Sequence, residues 1–164
     1  MRGVASALLR WPTSVSNAPT TSVAPEWDLL LAASSADAGS ALDRIQRLLE
    51  KPVDWEMVLR LADNHGTSSL LYQNLLPLGN MVPSPALASL RQRYEGNIHK
   101  SLFLTRELIR IVDWLERLGI DTVPYKGVVM SEVYYGDMAL RQSGDMDLFV
   151  RKRDVGRIKS ALRD

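Results

Sequence analysis

The chain has no cysteine. That excludes a disulfide framework and thiolate metal sites, and it leaves the compartment open. Histidine is almost as scarce, with only His65 and His99, so a multi-histidine metal centre is excluded too. No apolar run approaches the roughly 20 residues that a membrane-spanning helix requires. Charge of one sign is also missing: 20 Lys and Arg against 19 Asp and Glu leave a net +1. Without a basic field, the composition carries no strong nucleic-acid signal. What remains is the mix of a soluble globular protein, expected to be cytoplasmic. Hydrophobic residues make up 46% and charged residues 24% of 164, enough for one domain with a proper core.

Residues 1–25 hold arginines and many Ser, Thr and Ala, with no acidic residue before Glu26. Their apolar stretch is short and broken by Arg10 and Pro12. They read as a disordered tail rather than a targeting peptide. Residues 26–118 read as a helical region. WDLLLAAS predicts a short helix. DAGSALDRIQRLLE predicts a second, with Leu42, Ile45, Leu48 and Leu49 at helical spacing and Asp37 as a candidate N-cap. Asp54 caps a third carrying Trp55, Val58, Leu59 and Ala62, which Gly66 ends. Thr67 is the candidate cap of a fourth, TSSLLYQNLL. The strongest periodicity runs from Ala86 to Leu118 through Leu90, Tyr94, Ile98, Leu102, Thr105, Leu108, Ile109, Val112 and Leu115, with Gly96 as a candidate bend.

Residues 119–164 change pattern. IDTVPYKG predicts a short strand, with Pro124 at an edge or an end. GVVMSEVYY predicts a helix starting at Gly127, and GDMALRQSG a loop. GDMDLFV predicts a second strand, whose run Leu148, Phe149, Val150 suits burial on both faces. A helix follows the turn RKRD. The fold class is therefore α+β: a helical N-terminal half, then the first two strands of an α/β unit.

Two aspartates at the mouth of that second strand are unusual, because aspartate is a poor strand former and like charges repel. Residues i and i+2 of a strand share a face. Asp145 and Asp147 thus project together, with Met146 and Leu148 on the other side. A divalent cation between them, or one proton, relieves the repulsion. Oxygen ligands suit Mg²⁺ or Mn²⁺. Upstream, the glycine of Lys126-Gly127 lets a phosphate approach the start of a helix, where free amides and the dipole favour anions. Lys126, Arg141 and Ser143 are further donors to a triphosphate. A phosphate cradle beside a carboxylate pair is equipment for phosphoryl or nucleotidyl transfer.

The segment Tyr125–Val150 resembles the signature of the polymerase-beta-type nucleotidyltransferase superfamily. It is most similar to a bacterial family of uncharacterised nucleotidyltransferases. The matching residues are Lys126, Gly127, Arg141, Ser143, Gly144, Asp145, Asp147 and Leu148. The resemblance implies that Asp145 and Asp147 bind Mg²⁺ with the phosphates of an NTP such as ATP. It implies that Gly127 and the helix start hold the triphosphate, and that an acceptor displaces pyrophosphate. Val128 stands where the wider superfamily has Ser or Gly, with Ser131 or Ser143 as substitutes. The resemblance also implies a third carboxylate on a later strand. The only acidic residues after Asp147 are Asp154, read as a cap, and Asp164. The third group is therefore expected beyond residue 164, making this an N-terminal fragment with an unfinished sheet.

Other residues have simpler roles. Lys126 is either a phosphate ligand or a solvated strand end. Arg141 pairs with phosphate or a carboxylate. Glu132 suits a solvated helix face, Tyr134 and Tyr135 suit core packing, and Arg151, Lys152 and Arg153 suit a charged turn. The alternative function is a non-catalytic helical interaction module, in which the acidic strand is a relic. The acceptor is not legible.

Overall fold

The computed structural model describes residues 24–35 and 38–163; the tail expected over residues 1–25 lies almost wholly outside them, as does the Asp37 cap. Four helices open the fold: α1 Pro25–Ala33, α2 Ala38–Leu49, α3 Trp55–His65 and α4 Ser68–Leu75. Local chemistry sets their ends. The Asp54 carboxylate accepts the Met57 amide at 3.0 Å, and Gly66 closes α3 in the left-handed conformation. Thr67 holds the N-cap position of α4 but makes no side-chain cap bond. The neighbouring Ser68 hydroxyl donates instead to Asp63 at 3.0 Å.

These helices bury Leu29, Ile45, Val58, Leu71, Leu75 and Leu90 in one core, flanked by Trp27 and Trp55. Each fully buried Leu or Ile contributes roughly 1.5–3 kcal/mol. Polar contacts fix the register. Buried Asn74 donates to the carbonyls of Ala33 and Ser35 at 2.8 and 2.9 Å, satisfying the end of α1. Asp63 of α3 receives Arg93 through two bonds, 2.7 and 2.8 Å long. The Arg93 bond holds the Asp63 carboxyl below its usual range, against an opposing effect of partial burial.

Arg93 belongs to α5, Ser84–Arg117, a helix of 34 residues and therefore about 51 Å long. It runs through Gly96 as one element. Its first half closes the helical core. Its second half carries Leu104 and Leu108 beneath the rest of the chain. Leu102 and Ile109 fit the apolar period, yet both are more than half exposed. The elements packed on α5 cover a narrower stripe than the periodicity offers.

Strand β1, Thr122–Tyr125, leads through α6, Gly127–Tyr135, and a loop to β2, Asp147–Val150. The strands pair antiparallel, with Tyr125 opposite Asp147 and Thr122 opposite Val150. Met146 and Leu148 turn inward against Leu104, Leu108 and Val128, as alternation predicts. Burial on both faces of β2 is not found: Phe149 is 58% exposed, because helices cover only one side of the hairpin. Helix α7, Val155–Ala161, ends the described fold. Asp154 sits at its N-cap position without capping it. Its carboxylate is buried and receives Arg157 at 3.1 Å, and Arg157 also donates to the Leu118 carbonyl. That link ties α7 to the end of α5. Arg151 of the charged turn pairs with Asp121. Among the described residues, no helix is long and apolar enough to cross a membrane.

Candidate functional site

The passage from β1 into α6 is the most constrained turn in the described chain. Lys126 has φ 63° and ψ −156°, a region that is essentially reserved for glycine. Gly127 follows at φ 54°. A Cβ on Gly127 would also lie 3.3 Å from the Asp145 carbonyl oxygen. Conformation and space thus both demand glycine there. A non-glycine residue in the Lys126 conformation stores roughly 1–3 kcal/mol, and such strain persists only where the surroundings over-determine it. Here the β1–β2 pairing fixes one side and buried Val128 fixes the other.

The turn delivers the amides of the first turn of α6 beside the two aspartates. Asp145, Asp147, Lys126 and Gly127 line one small cavity of about 10 Å³, room for a single water or ion, which Leu108, Val128 and Met146 close from the core side. Strand β2 begins at Asp147, so Asp145 lies in the bend before it rather than on the strand. The alternation still carries over, with Asp145 exposed and Met146 inward. The Lys126 ammonium stands 3.5 Å from Asp147 Oδ2. Both side chains are about half exposed, so the pair contributes at most about 1 kcal/mol and is readily exchanged for another cation.

Ser143 is buried, with the Arg141 guanidinium 3.5 Å from its hydroxyl. Arg141 is exposed and forms no ion pair among the described residues, which leaves its charge available to an anion. Gly144 is exposed, with open space above its Cα. Ser131 is not a phosphate donor. Its hydroxyl donates to the Asp137 carbonyl at 2.8 Å and accepts the Arg141 amide at 3.1 Å. Val128 is in the core, so the first turn of α6 offers backbone amides rather than a hydroxyl. Tyr134 is 69% exposed and does not pack in the core, because α6 ends at Gly136 with that side turned outward. Glu132 is exposed, as expected.

Sequence reading missed the residues that hold the loop. Buried Asn97 of α5 donates to the Ala139 carbonyl at 2.6 Å and lies 3.5 Å from the Arg141 carbonyl. Asp137 accepts the Ala139 amide at 2.7 Å and faces the Tyr94 hydroxyl at 3.4 Å. Burial first, and then the Asp137 charge, raise the Tyr94 hydroxyl above its usual range, so it stays protonated as a donor. The available signal was an asparagine on the apolar face of a helix, between Tyr94 and Ser101. A buried amide must bond something.

An exposed carboxylate, Asp145, and a half-exposed one, Asp147, on one small space offer the oxygen ligands that suit a divalent cation. Among the described residues no group of three or more acidic or histidine side chains gathers. A larger cavity, about 680 Å³, lies elsewhere, between α5, β2 and α7, lined by Ile111, Trp114, Leu148, Val150 and Ile158 with Glu107, Arg110, Asp113 and Arg117 at its edge. It is mostly apolar and contains neither the Lys126-Gly127 turn nor the two aspartates.

The model of a family described as uncharacterised nucleotidyltransferase matches residues 51–164. The chain belongs to that family. The match takes in the Lys126-Gly127 turn and both aspartates, together with α3, α4 and α5. No curated protein and no solved structure matches the chain.

Proposed function

We propose that this family member transfers a nucleoside monophosphate from an NTP to an acceptor, with the triphosphate seated at the Lys126-Gly127 turn. The observation that carries this reading is the strained turn itself. It aims the start of α6 at the same small cavity that Asp145 and Asp147 line. The α6 amides, Arg141 and Ser143 would bind phosphate oxygens, with Gly127 and Gly144 leaving room for them. Asp145 and Asp147 would hold a Mg²⁺ or Mn²⁺ ion, which supplies charge neutralisation at the reacting phosphate when bound. An acceptor oxygen would attack the α-phosphorus, and the bond to the bridging oxygen of pyrophosphate would break. Pyrophosphate would leave with the electron pair, and the acceptor proton would pass to a carboxylate or to water. Lys126 would exchange its present partner, Asp147, for the triphosphate as the cation takes its place.

Isothermal titration of ATP with and without Mg²⁺ tests this reading. The wild-type chain is expected to bind Mg-ATP, and an Asp145→Asn/Asp147→Asn variant to lose the metal-dependent part. Equal affinity in the two proteins would refute it.

A further inference from the structure

The carboxylate side of the hairpin carries an aromatic pair to which the chemistry above gives no role. Phe149 follows Asp147 by two residues and shares its face, and Tyr125 sits directly opposite Asp147. The two rings lie 4.7 Å apart between centroids, tilted by 45°. They are 58% and 41% exposed, although this is among the most apolar surface the hairpin could hide. The Lys126 ammonium is 5.3 Å from the centre of the Tyr125 ring, within cation–π range. Tyr125, Lys126, Asp147, Leu148 and Phe149 enclose an open cavity of about 230 Å³. Complete small-molecule pockets run to roughly 300–1,000 Å³, so this space suits one part of a ligand. Tyr125, Lys126 and Asp147 line it and also line the small space at the phosphate turn, so the two spaces adjoin at these three residues.

We propose that Tyr125 and Phe149 form the stacking platform for the nucleobase of the triphosphate. This deepens the function proposed above and rests on it. A base tethered to phosphates at Lys126-Gly127 reaches the adjoining cavity through its ribose. There it meets flat aromatic carbon, with a cation polarising one ring. Stacking reads the π-face rather than the hydrogen-bonding edge, so the platform accepts every base and favours purines through their larger area. Asp147 would then belong to both subsites, one carboxylate marking the junction between phosphate and nucleoside.

Titration of the Mg²⁺ complexes of ATP and of inorganic tripolyphosphate into wild type, Tyr125→Leu and Phe149→Leu tests the platform. Leucine keeps apolar area on the strand, and far-ultraviolet circular dichroism verifies the fold. Each substitution is expected to weaken ATP about ten-fold, the stacking of one base, and to leave tripolyphosphate unchanged. Equal weakening of both ligands, or no change for ATP, overturns the platform. The Asp145→Asn/Asp147→Asn variant separates the two ideas, since it is expected to weaken both ligands alike. Unaltered tripolyphosphate binding in that variant overturns the phosphate reading, while an ATP-selective loss in the leucine variants still supports the platform.

Discussion

The helical region and the hairpin unit are built on opposite terms. The first four helices and the start of α5 enclose their core from several sides, with Leu29, Ile45, Val58, Leu71, Leu75 and Leu90 all nearly inaccessible. The cluster beneath the hairpin has three buried members, Leu104, Leu108 and Val128, each still 5–7% exposed, and helices cover one face of its sheet. The closed region therefore supplies stability, and the open one supplies exposed chemistry. A single helix, α5, belongs to both. What the contrast teaches is how a strained turn can be held on so thin a core. Asn97 and Tyr94, on a helix anchored in the stable half, hold the loop that carries Arg141 and Ser143.

The contrast can be broken first at its strong end. Leu71→Ala or Ile45→Ala should cost about 2–5 kcal/mol, measured by urea unfolding, and lower the stability of the whole chain. Val128→Ala should cost about 1–2 kcal/mol, since it removes two buried methyl groups. Its effect should concentrate in β1 and β2, seen as faster amide exchange there than in α1 and α4. Equal exchange in both regions would show one cooperative unit rather than two.

Asn97→Ala sharpens the comparison at the joint. It should cost about 1–3 kcal/mol by leaving the Ala139 carbonyl unpaired. It should also weaken Mg-ATP binding without touching a ligand, because the loop bearing Arg141 loses its tether. A stability loss with unchanged affinity would make Asn97 purely structural.

The smallest effect concerns Asp63 and Arg93. Asp63→Asn should cost at most about 1 kcal/mol, because the pair is partly exposed. The sign of its pH dependence is fixed. A carboxyl lowered in the folded state contributes stability above its unfolded value of 3.8, and loses it as pH falls through the folded value. The difference between wild type and variant should therefore be constant from pH 7 to about pH 5 and vanish in stronger acid. A difference that persists at pH 2 would point to packing instead.

Much of this was legible from residue spacing. The Asp54 cap, the Gly66 stop, the long α5 and the start of α6 at Gly127 all follow local rules of capping and periodicity. What failed was whatever depends on neighbours. Leu102 and Ile109 fit the apolar period of α5, but nothing in their own segment says how wide a stripe will be covered. Phe149 sits in an apolar run that reads the same whether one face of a strand is covered or two. At the site, the aspartates and the Lys-Gly turn were visible because their residue types are locally costly. Asn97 and Ser131 were not, because their partners lie 42 and 6 residues away and only folding brings them to Ala139 and Asp137.

The central claim is that nucleotide phosphates and a divalent cation meet at the Lys126-Gly127 turn beside Asp145 and Asp147. Paramagnetic broadening of amide resonances by Mn²⁺ with ATP tests it most directly. Signals of residues 126–128 and 144–148 should vanish first, while those of Leu29, Ile45 and Leu71 stay sharp. Broadening centred anywhere else, or spread evenly over exposed carboxylates such as Glu56, Asp113 and Glu116, would contradict it.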